Sequence, residues 1–311
     1  MIVVCGDVLI DFIPVETKTG SMAYSPVAGG SCSNIATAIG RLGGKVSFMG
    51  GVSTDFFGDM LIDRMVEAGV DTRYIARNGH GSTLAFVKLE ATDARYAFFD
   101  ENSASQLWER SMSPPFTEDV ELIHIGSTSL IEMPIAASCE AMFKAEHGKK
   151  LLCIDPNCRP TLTKNVHVYR ERIARLMGMA DIIKLSLDDL EYVLPNVAPE
   201  EAAKRWLNGG ASMVVITRGI LGALGFFKDQ PMVVVPPAEA RNVVDTVGAG
   251  DTFIGSLLAF FQARGVLNKA KFHQITSKDM EEALAYAAKV AAMVCERQGA
   301  NPPWKKEVDA R

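Results

Sequence analysis

The sequence predicts an α/β fold: a doubly wound, mostly parallel sheet with helices on both faces and a second, small β-sheet. Three observations carry this prediction. From Leu122 onward, short β-branched runs alternate with longer amphipathic segments, the βαβ pattern that builds a parallel sheet. Two N-terminal stretches, 12–28 and 82–102, read instead as hairpin-like and could form a small separate sheet. The chain has 311 residues, 48% of them hydrophobic, enough for a sizeable core in one large α/β domain or two ordinary ones. No low-complexity linker, charge block or repeat divides it.

In order along the chain, Met1–Cys5 is a β-branched run ended by Gly6, a buried strand. Gly6-Asp7-Val8-Leu9-Ile10-Asp11 follows. Two acids so near a buried run fit a solvated loop, or polar groups at a strand's C-terminal end, where open α/β sheets bind ligands. Phe12–Val27 is polar and mixed, with a turn at Gly20-Ser21. Gly29-Gly30-Ser31-Cys32-Ser33-Asn34 opens a helix running through Ile35 to Leu42, with Ser33 its candidate N-cap. Lys45–Met49 reads as a strand and Asp55–Ala68 as an amphipathic helix, closed by Gly69-Val70-Asp71. Ser82–Glu90 alternates and Arg95–Asp100 is a second β-like run, joined through the turn Ala91-Thr92-Asp93-Ala94.

Beyond Pro114-Pro115, an ordinary loop, strands are expected at Leu122–Ile125, Leu151–Ile154, Ile182–Leu185, Met213–Thr217, Ala223–Phe227 and Met232–Val235. Helices are expected at Pro134–Glu146, Val166–Met177, Leu187–Val193, Pro199–Leu207, Thr252–Ala263 and Met280–Glu296.

Net charge is −5 with the signs interspersed, which argues against nucleic acid or an anionic membrane as the main partner. Six cysteines are scattered without a Cys-x-x-Cys pair, a pattern of reduced cytosolic thiols rather than zinc ligands or disulfides. The first residues are too short an apolar run for a signal segment, and no stretch approaches the roughly 20 apolar residues of a membrane helix. The expected location is the cytoplasm.

The chemistry concentrates in Val244-Asp245-Thr246-Val247-Gly248-Ala249-Gly250-Asp251-Thr252-Phe253, which joins an extended segment to an apolar helix. Gly248 and Gly250 let a ligand approach the backbone, at a helix start that favours an anion. Asp251 lies in the same first turn. A carboxylate beside an anion site is repelled by the anion, so its presence suggests a catalytic base at the edge of a phosphate cradle. An acidic first turn with glycines for tight packing is the other reading. A P-loop would need a Gly-Lys-Ser/Thr ending, which is lacking. A dinucleotide fingerprint would need a third glycine where Phe253 stands.

Asp-Thr-Val-Gly-Ala-Gly-Asp-Thr-Phe resembles the C-terminal signature of the ribokinase-like (PfkB-type) sugar kinases. Gly-Gly-x-x-x-Asn, here Gly29 to Asn34, resembles that family's N-terminal signature. The resemblance spans residues 1–305 and implies a single ribokinase-like kinase domain over 1–311. It implies that Gly248, Ala249 and Gly250 form an anion hole for the transferred phosphoryl group and that Asp251 takes the proton from the sugar hydroxyl. Asp11, Gly30 and Asn34 then hold the sugar, and residues 12–28 and 82–102 form a lid that also serves as a homodimer contact. Phe98 is the candidate lid aromatic packing on the sugar, or a core residue. Arg95 and Asn102 are further candidate sugar contacts.

Other strand ends resemble the family more loosely. Asp155-Pro156-Asn157-Cys158-Arg159-Pro160 is similar to a motif of fructokinase-type and 2-keto-3-deoxygluconate kinase-type members, in which Arg159 would reach the substrate or its phosphoryl group; a structural pairing with Asp155 is the alternative. Ser186 and Asp189 take the place of the family's Asn-x-x-Glu, implying action on magnesium and phosphate, and they equally fit a helix-capping box. Thr217, Gly219 and Gly222 match a Thr-x-Gly-x-x-Gly near the ATP phosphates. Asp245 and the Val247 carbonyl are a candidate K⁺ site, and the alanine-rich C-terminal helix and its following loop would cover the adenine. The expected activity is ATP- and Mg²⁺-dependent phosphorylation of a sugar hydroxyl, fructose first. A 2-keto-3-deoxygluconate kinase, a ribokinase or nucleoside kinase, and a non-catalytic sugar-binding regulator are the alternatives.

Overall fold

A computed structural model of the protein describes residues 1–89 and 94–311, with the side chains of 88, 89 and 94–96 left out. The turn expected at Ala91–Ala94 falls mainly outside the described residues, and the Arg95 side chain falls outside them too.

The main sheet contains β1 (Ile2–Cys5), β4 (Val46–Ser53), β5 (Asp71–Asn78), β8 (Leu122–Gly126), β9 (Leu151–Asp155), β10 (Ile182–Ser186), β11 (Met213–Thr217), β12 (Ala223–Phe227) and β13 (Val233–Val235). Its order is β13-β12-β11-β10-β9-β8-β1-β4-β5. Every pairing from β11 to β5 is parallel, while β12 pairs antiparallel with β11 and β13 antiparallel with β12. The chain leaves β1 toward β4 and β5, then returns to its other side at β8. Strand order therefore reverses at β1, and the crevice at the C-terminal ends of β1 and β8 is where such sheets bind ligands.

The helices are α1 (Ser31–Arg41), α2 (Phe56–Glu67), α3 (Ile135–Glu146), α4 (Val166–Met177), α5 (Leu187–Val193), α6 (Pro199–Asn208), α7 (Ala249–Ala263), α8 (Lys269–Phe272), α9 (Ser277–Val294) and α10 (Lys305–Asp309). They cover both faces of the sheet because successive strand residues point to opposite sides. Val4 packs in the core with Ile35 and Ile39 of α1, Leu257 and Phe261 of α7, and Leu284 of α9. Val3 and Cys5 pack in the other core with Phe143 of α3, Ile173 of α4 and Ala202 of α6. None of the described helices is long and apolar enough to cross a membrane.

The second sheet holds β2 (Leu9–Glu16), β3 (Met22–Gly29), β6 (Leu84–Leu89) and β7 (Ala94–Phe99), in the order β3-β2-β6-β7. Its register aligns Val27, Asp11, Ala85 and Phe98 in one row. Paired residues share a face, so Phe98 stands on the side of the sheet that carries Asp11, across the small Ala85.

Three local expectations change. Strand β5 was not anticipated: Asp-Thr-Arg-Tyr-Ile-Ala-Arg-Asn is a half-exposed edge strand with too many polar residues to read as buried. Helix α7 already begins at Ala249, which places Asp251 inside the helix. Ser33 does not cap α1. The N-cap is Gly30, and the Ser33 hydroxyl donates to the Gly29 carbonyl at 2.7 Å, the i−4 bond of a serine already inside a helical turn. Asp7 caps this helix from outside the element, its carboxylate accepting from Ser31 N at 3.1 Å and Cys32 N at 2.9 Å.

Candidate active site

The first turn of α7 meets the first turn of α1 above the β1–β8 crevice. Asp251 is only 8% exposed there. Its Oδ1 accepts from Ser31 Oγ at 2.7 Å and from Asn157 Nδ2 at 3.4 Å, and its Oδ2 accepts from Asn34 Nδ2 at 2.9 Å. Asn157 Nδ2 also donates to Ser31 Oγ at 2.8 Å. Burial pushes the Asp251 carboxyl above the ordinary range, while the bonds from Asn34 and Ser31 and the charge of Lys184 oppose the rise. A desolvated carboxyl group fixed by hydrogen-bond donors, with its proton affinity raised, is suited to hold a proton.

Gly248 is the N-cap of α7, with φ 78°. A side chain is excluded on two counts. The left-handed conformation disfavours one, and a Cβ there would stand 2.5 Å from the Ala300 Cβ. The loop after α9 thus closes directly over the glycine motif. Asp245 ties the two together, its Oδ1 accepting from Val247 N at 3.0 Å and its Oδ2 from Gly299 N at 2.8 Å. Val247 N–H is therefore already committed, and so is that of Ala249, one of the residues expected to form the anion hole, which donates to Thr246 O at 3.2 Å. Beneath Gly250 lies Lys184, whose Nζ would be 3.3 Å from a Cβ at that glycine.

Asp11 sits on β2 with its carboxylate against Gly29, where a Cβ would come within 2.2 Å of Oδ2. Burial pushes Asp11 up to about 7; Arg64 pulls it down, while Asp7 and Asp251 add to the rise. Asn34 accepts from Arg64 Nη1 at 3.0 Å through Oδ1. Arg159 Nη1 donates to Asn157 Oδ1 at 2.7 Å, to Asn157 O at 2.9 Å and to Cys158 O at 3.0 Å.

Residues 1–307 match the family described as pfkB family carbohydrate kinase. The chain belongs to the pfkB family of carbohydrate kinases. A fructokinase of Rhizobium leguminosarum bv. trifolii is 39% identical over 284 residues, covering 91% of this chain and 85% of that protein. Fructokinase-2 of Oryza sativa subsp. japonica is 32% identical over 315 residues, covering 97% and 90%. Among solved structures, the fructokinase of Xylella fastidiosa with bound ATP superposes with a TM-score of 0.89 at 28% identity, covering 99% of this chain and 97% of that one. The fructokinase of Vibrio cholerae O395, bound to fructose, ADP and calcium ion, gives 0.86 at 26% identity with the same coverage.

The structure brings Asp251, Asn34 and the Gly248–Gly250 turn together, with Gly30 at the start of α1. Asp155, expected as a possible partner of Arg159, pairs instead with Lys184 at 2.6 Å. Ser186 and Asp189 form a capping box at α5. Asp189 is fully engaged there, Oδ2 by Ser186 N at 3.0 Å and Ser186 Oγ at 2.7 Å, and Oδ1 by Cys158 N at 2.7 Å. Thr217 ends β11, and its hydroxyl donates to Leu185 O at 3.5 Å. Gly219 and Gly222 bracket an exposed 3₁₀ turn after that strand. Asn102 lies exposed in a left-handed turn after β7.

Sequence reasoning missed Ser31, Asn157 and Lys184 as site residues. Ser31 and Asn157 stood inside motifs already singled out. Lys184 lies within the expected strand Ile182–Leu185, where a buried ammonium is unusual.

Proposed function

We propose that this kinase transfers the γ-phosphoryl group of ATP to a hydroxyl of fructose, with the whole chain acting as one kinase unit. The observation that carries the reading is Asp251, buried in the first turn of α7 and surrounded by amide and hydroxyl donors at the reversal point of the sheet. Asp251 accepts the proton of the attacking hydroxyl as the new O–P bond forms, and the bond from the γ-phosphorus to the bridging oxygen of ADP breaks. Gly248 and Gly250, with the positive end of α7, stabilise charge on the phosphoryl group in flight. Asp11, Gly30 and Asn34 hold the sugar, with Phe98 above it on the Asp11 face of the lid. Thr217, Gly219 and Gly222 line the nucleotide side.

Among the described residues no cluster of three or more His, Cys, Asp or Glu could hold a metal ion. The carboxylates of Asp189 and Asp251 already accept hydrogen bonds at both oxygens. Mg²⁺ therefore fits as an ion carried by the nucleotide phosphates, where it supplies charge neutralisation. Asp245 is engaged in the same way, its two oxygens accepting from Val247 N and Gly299 N, which leaves the Val247 carbonyl as the remaining candidate donor for a K⁺ ion.

Fructose is favoured over a keto-deoxy sugar acid because the relatives at 39% and 32% identity are fructokinases and a similar solved structure holds fructose. We place the enzyme in the cytoplasm, since the buried cysteines are all free thiols. A homodimer through the lid is supported by the face opposite Asp11. There Phe12 stacks on Phe86 at 4.5 Å, and Met22, Tyr24 and Phe99 remain exposed.

A coupled ADP-release assay tests the reading on fructose, glucose, ribose, 2-keto-3-deoxygluconate and adenosine. Fructose should give the highest kcat/KM, and faster turnover of ribose or adenosine would overturn the assignment.

A further inference from the structure

Asn34 lies between two groups of opposite character. On one side is the Asp251 carboxylate, which only accepts; on the other is the Arg64 guanidinium, which only donates. A carboxamide has one end of each kind. Arg64 takes the oxygen end at 3.0 Å, so the NH₂ end must face Asp251, which it meets at 2.9 Å. Were the amide to turn over, its oxygen would face a carboxylate and its NH₂ a cation, and both contacts would become repulsive.

Arg64 does more than orient the amide. The same Nη1 donates to the carbonyl of Ala28, at the root of lid strand β3, and Nη2 donates to the carbonyl of Ala300 at 2.6 Å. Ala300 is the residue that packs over Gly248. One guanidinium on α2 thus joins the lid root, the amide beside the base and the loop covering the glycine motif. Burial presses its pKa down to about 10, which still leaves it charged at neutral pH. A parallel arrangement stands on the other side of Asp251, where Arg159 holds the oxygen of Asn157 and turns its NH₂ toward the same carboxylate.

The geometry points to Arg64 as a positioning residue for phosphoryl transfer: it sets Asn34 to donate to Asp251 and locks that pair to the Ala28 and Ala300 carbonyls. Arg64 itself is not the base and is assigned no contact with the transferred group. The inference rests on Asp251 being the base, as argued above.

The test is a double-mutant cycle on kcat/KM with Arg64→Met, Asn34→Ala and the two combined, melting temperatures being recorded alongside. Arg64→Met should lower kcat/KM by about 100-fold, the order of loss that follows from misplacing a reacting group by about 1 Å. In the Asn34→Ala background the same change should cost clearly less, about tenfold or under, because only the ties to the Ala28 and Ala300 carbonyls remain to be lost. Losses that multiply would show that Arg64 acts independently of Asn34, and a near-wild-type Arg64→Met would show that it does not act at all; either result overturns the inference. Should Arg64→Met fail to fold, Arg64→Lys replaces it in the cycle. A single ammonium cannot reproduce the two-nitrogen fork that meets Asn34 and both carbonyls, so a smaller loss is expected that again shrinks without Asn34. The cycle uses whichever sugar of the panel wild type phosphorylates fastest, so a different sugar would overturn the fructose assignment and leave this test intact. Failure of Asp251 as the base shows separately, in the turnover of Asp251→Asn.

Discussion

The Lys184 ammonium and the Asp155 carboxylate meet at 2.6 Å with side chains only 4% and 1% exposed, directly beneath the first turn of α7. Burial works against the ammonium, yet the charge and hydrogen bond of Asp155 hold its pKa above the ordinary lysine value. Removing one partner strands the other charge in the interior. Lys184→Met should therefore destabilise the protein by about 3–5 kcal/mol in denaturant unfolding. Lys184→Met combined with Asp155→Leu should recover most of that stability, because the uncompensated charge has gone. Turnover should stay low in the double variant, since the positive charge below Gly250 is lost with it. A double variant as unstable as the single one would show that the pair matters for packing and not for charge.

Asp251→Asn keeps the shape of the side chain and removes its basicity. The kcat should fall by about 10²–10⁴-fold, the usual worth of a positioned general base. Nucleotide Kd should be unchanged or slightly tighter, because a negative charge beside the phosphates is gone. Since burial raises the Asp251 pKa, the acidic limb of the wild-type kcat/KM profile should lie above the range of an ordinary carboxylate, with activity lost as pH falls through it. Near-wild-type kcat in this variant would remove Asp251 from the mechanism.

Asp11 makes stability depend on pH. Its folded pKa is about 7, against roughly 3.9 for an unperturbed aspartate. Between these values the unfolded chain has released a proton that the folded chain keeps. Stability from this group is thus fully present below about pH 3.9 and is lost as pH rises through 7. Asp11→Asn should melt higher than wild type at pH 8 in the absence of sugar, and the gap should close toward pH 4. Differential scanning calorimetry at the two pH values checks this. Asp11→Ala should also raise the fructose KM by about 10–100-fold, the worth of hydrogen bonds to a charged group.

Gly248→Ala combines two penalties. A side chain at φ 78° costs about 1–2 kcal/mol, and its Cβ would lie 2.5 Å from that of Ala300. The Ala300 loop must move away from the glycine motif. A lowered melting temperature should accompany a kcat at least about tenfold below wild type, as the anion-binding turn is displaced. Unchanged values of both would mean that the loop yields freely and does not brace the motif.

Read alone, the sequence shows the α/β alternation, both glycine motifs and Asp251 as the candidate base. Each of these is written in contiguous residues: β-branched runs of strand length, Gly29-Gly30 before Asn34, Gly248 and Gly250 before Asp251. Local chemistry is enough to read them, because a helix start, a left-handed glycine and a carboxylate in a first turn have meaning within one or two turns of chain. Tertiary structure decided everything that depends on a partner far along the chain. Arg64 reaches Asn34 across 30 residues and Ala300 across 236, while Asn34 reaches Asp251 across 217. In the sequence Arg64 is one more arginine on an amphipathic helix, indistinguishable from a solvated one. Asp7 reads as a loop acid until α1 starts against it, and Lys184 as a strand-end lysine until Asp155 meets it. A hydrogen bond of this kind has no periodicity and no local propensity; it exists only once the sheet order has brought the strand ends together.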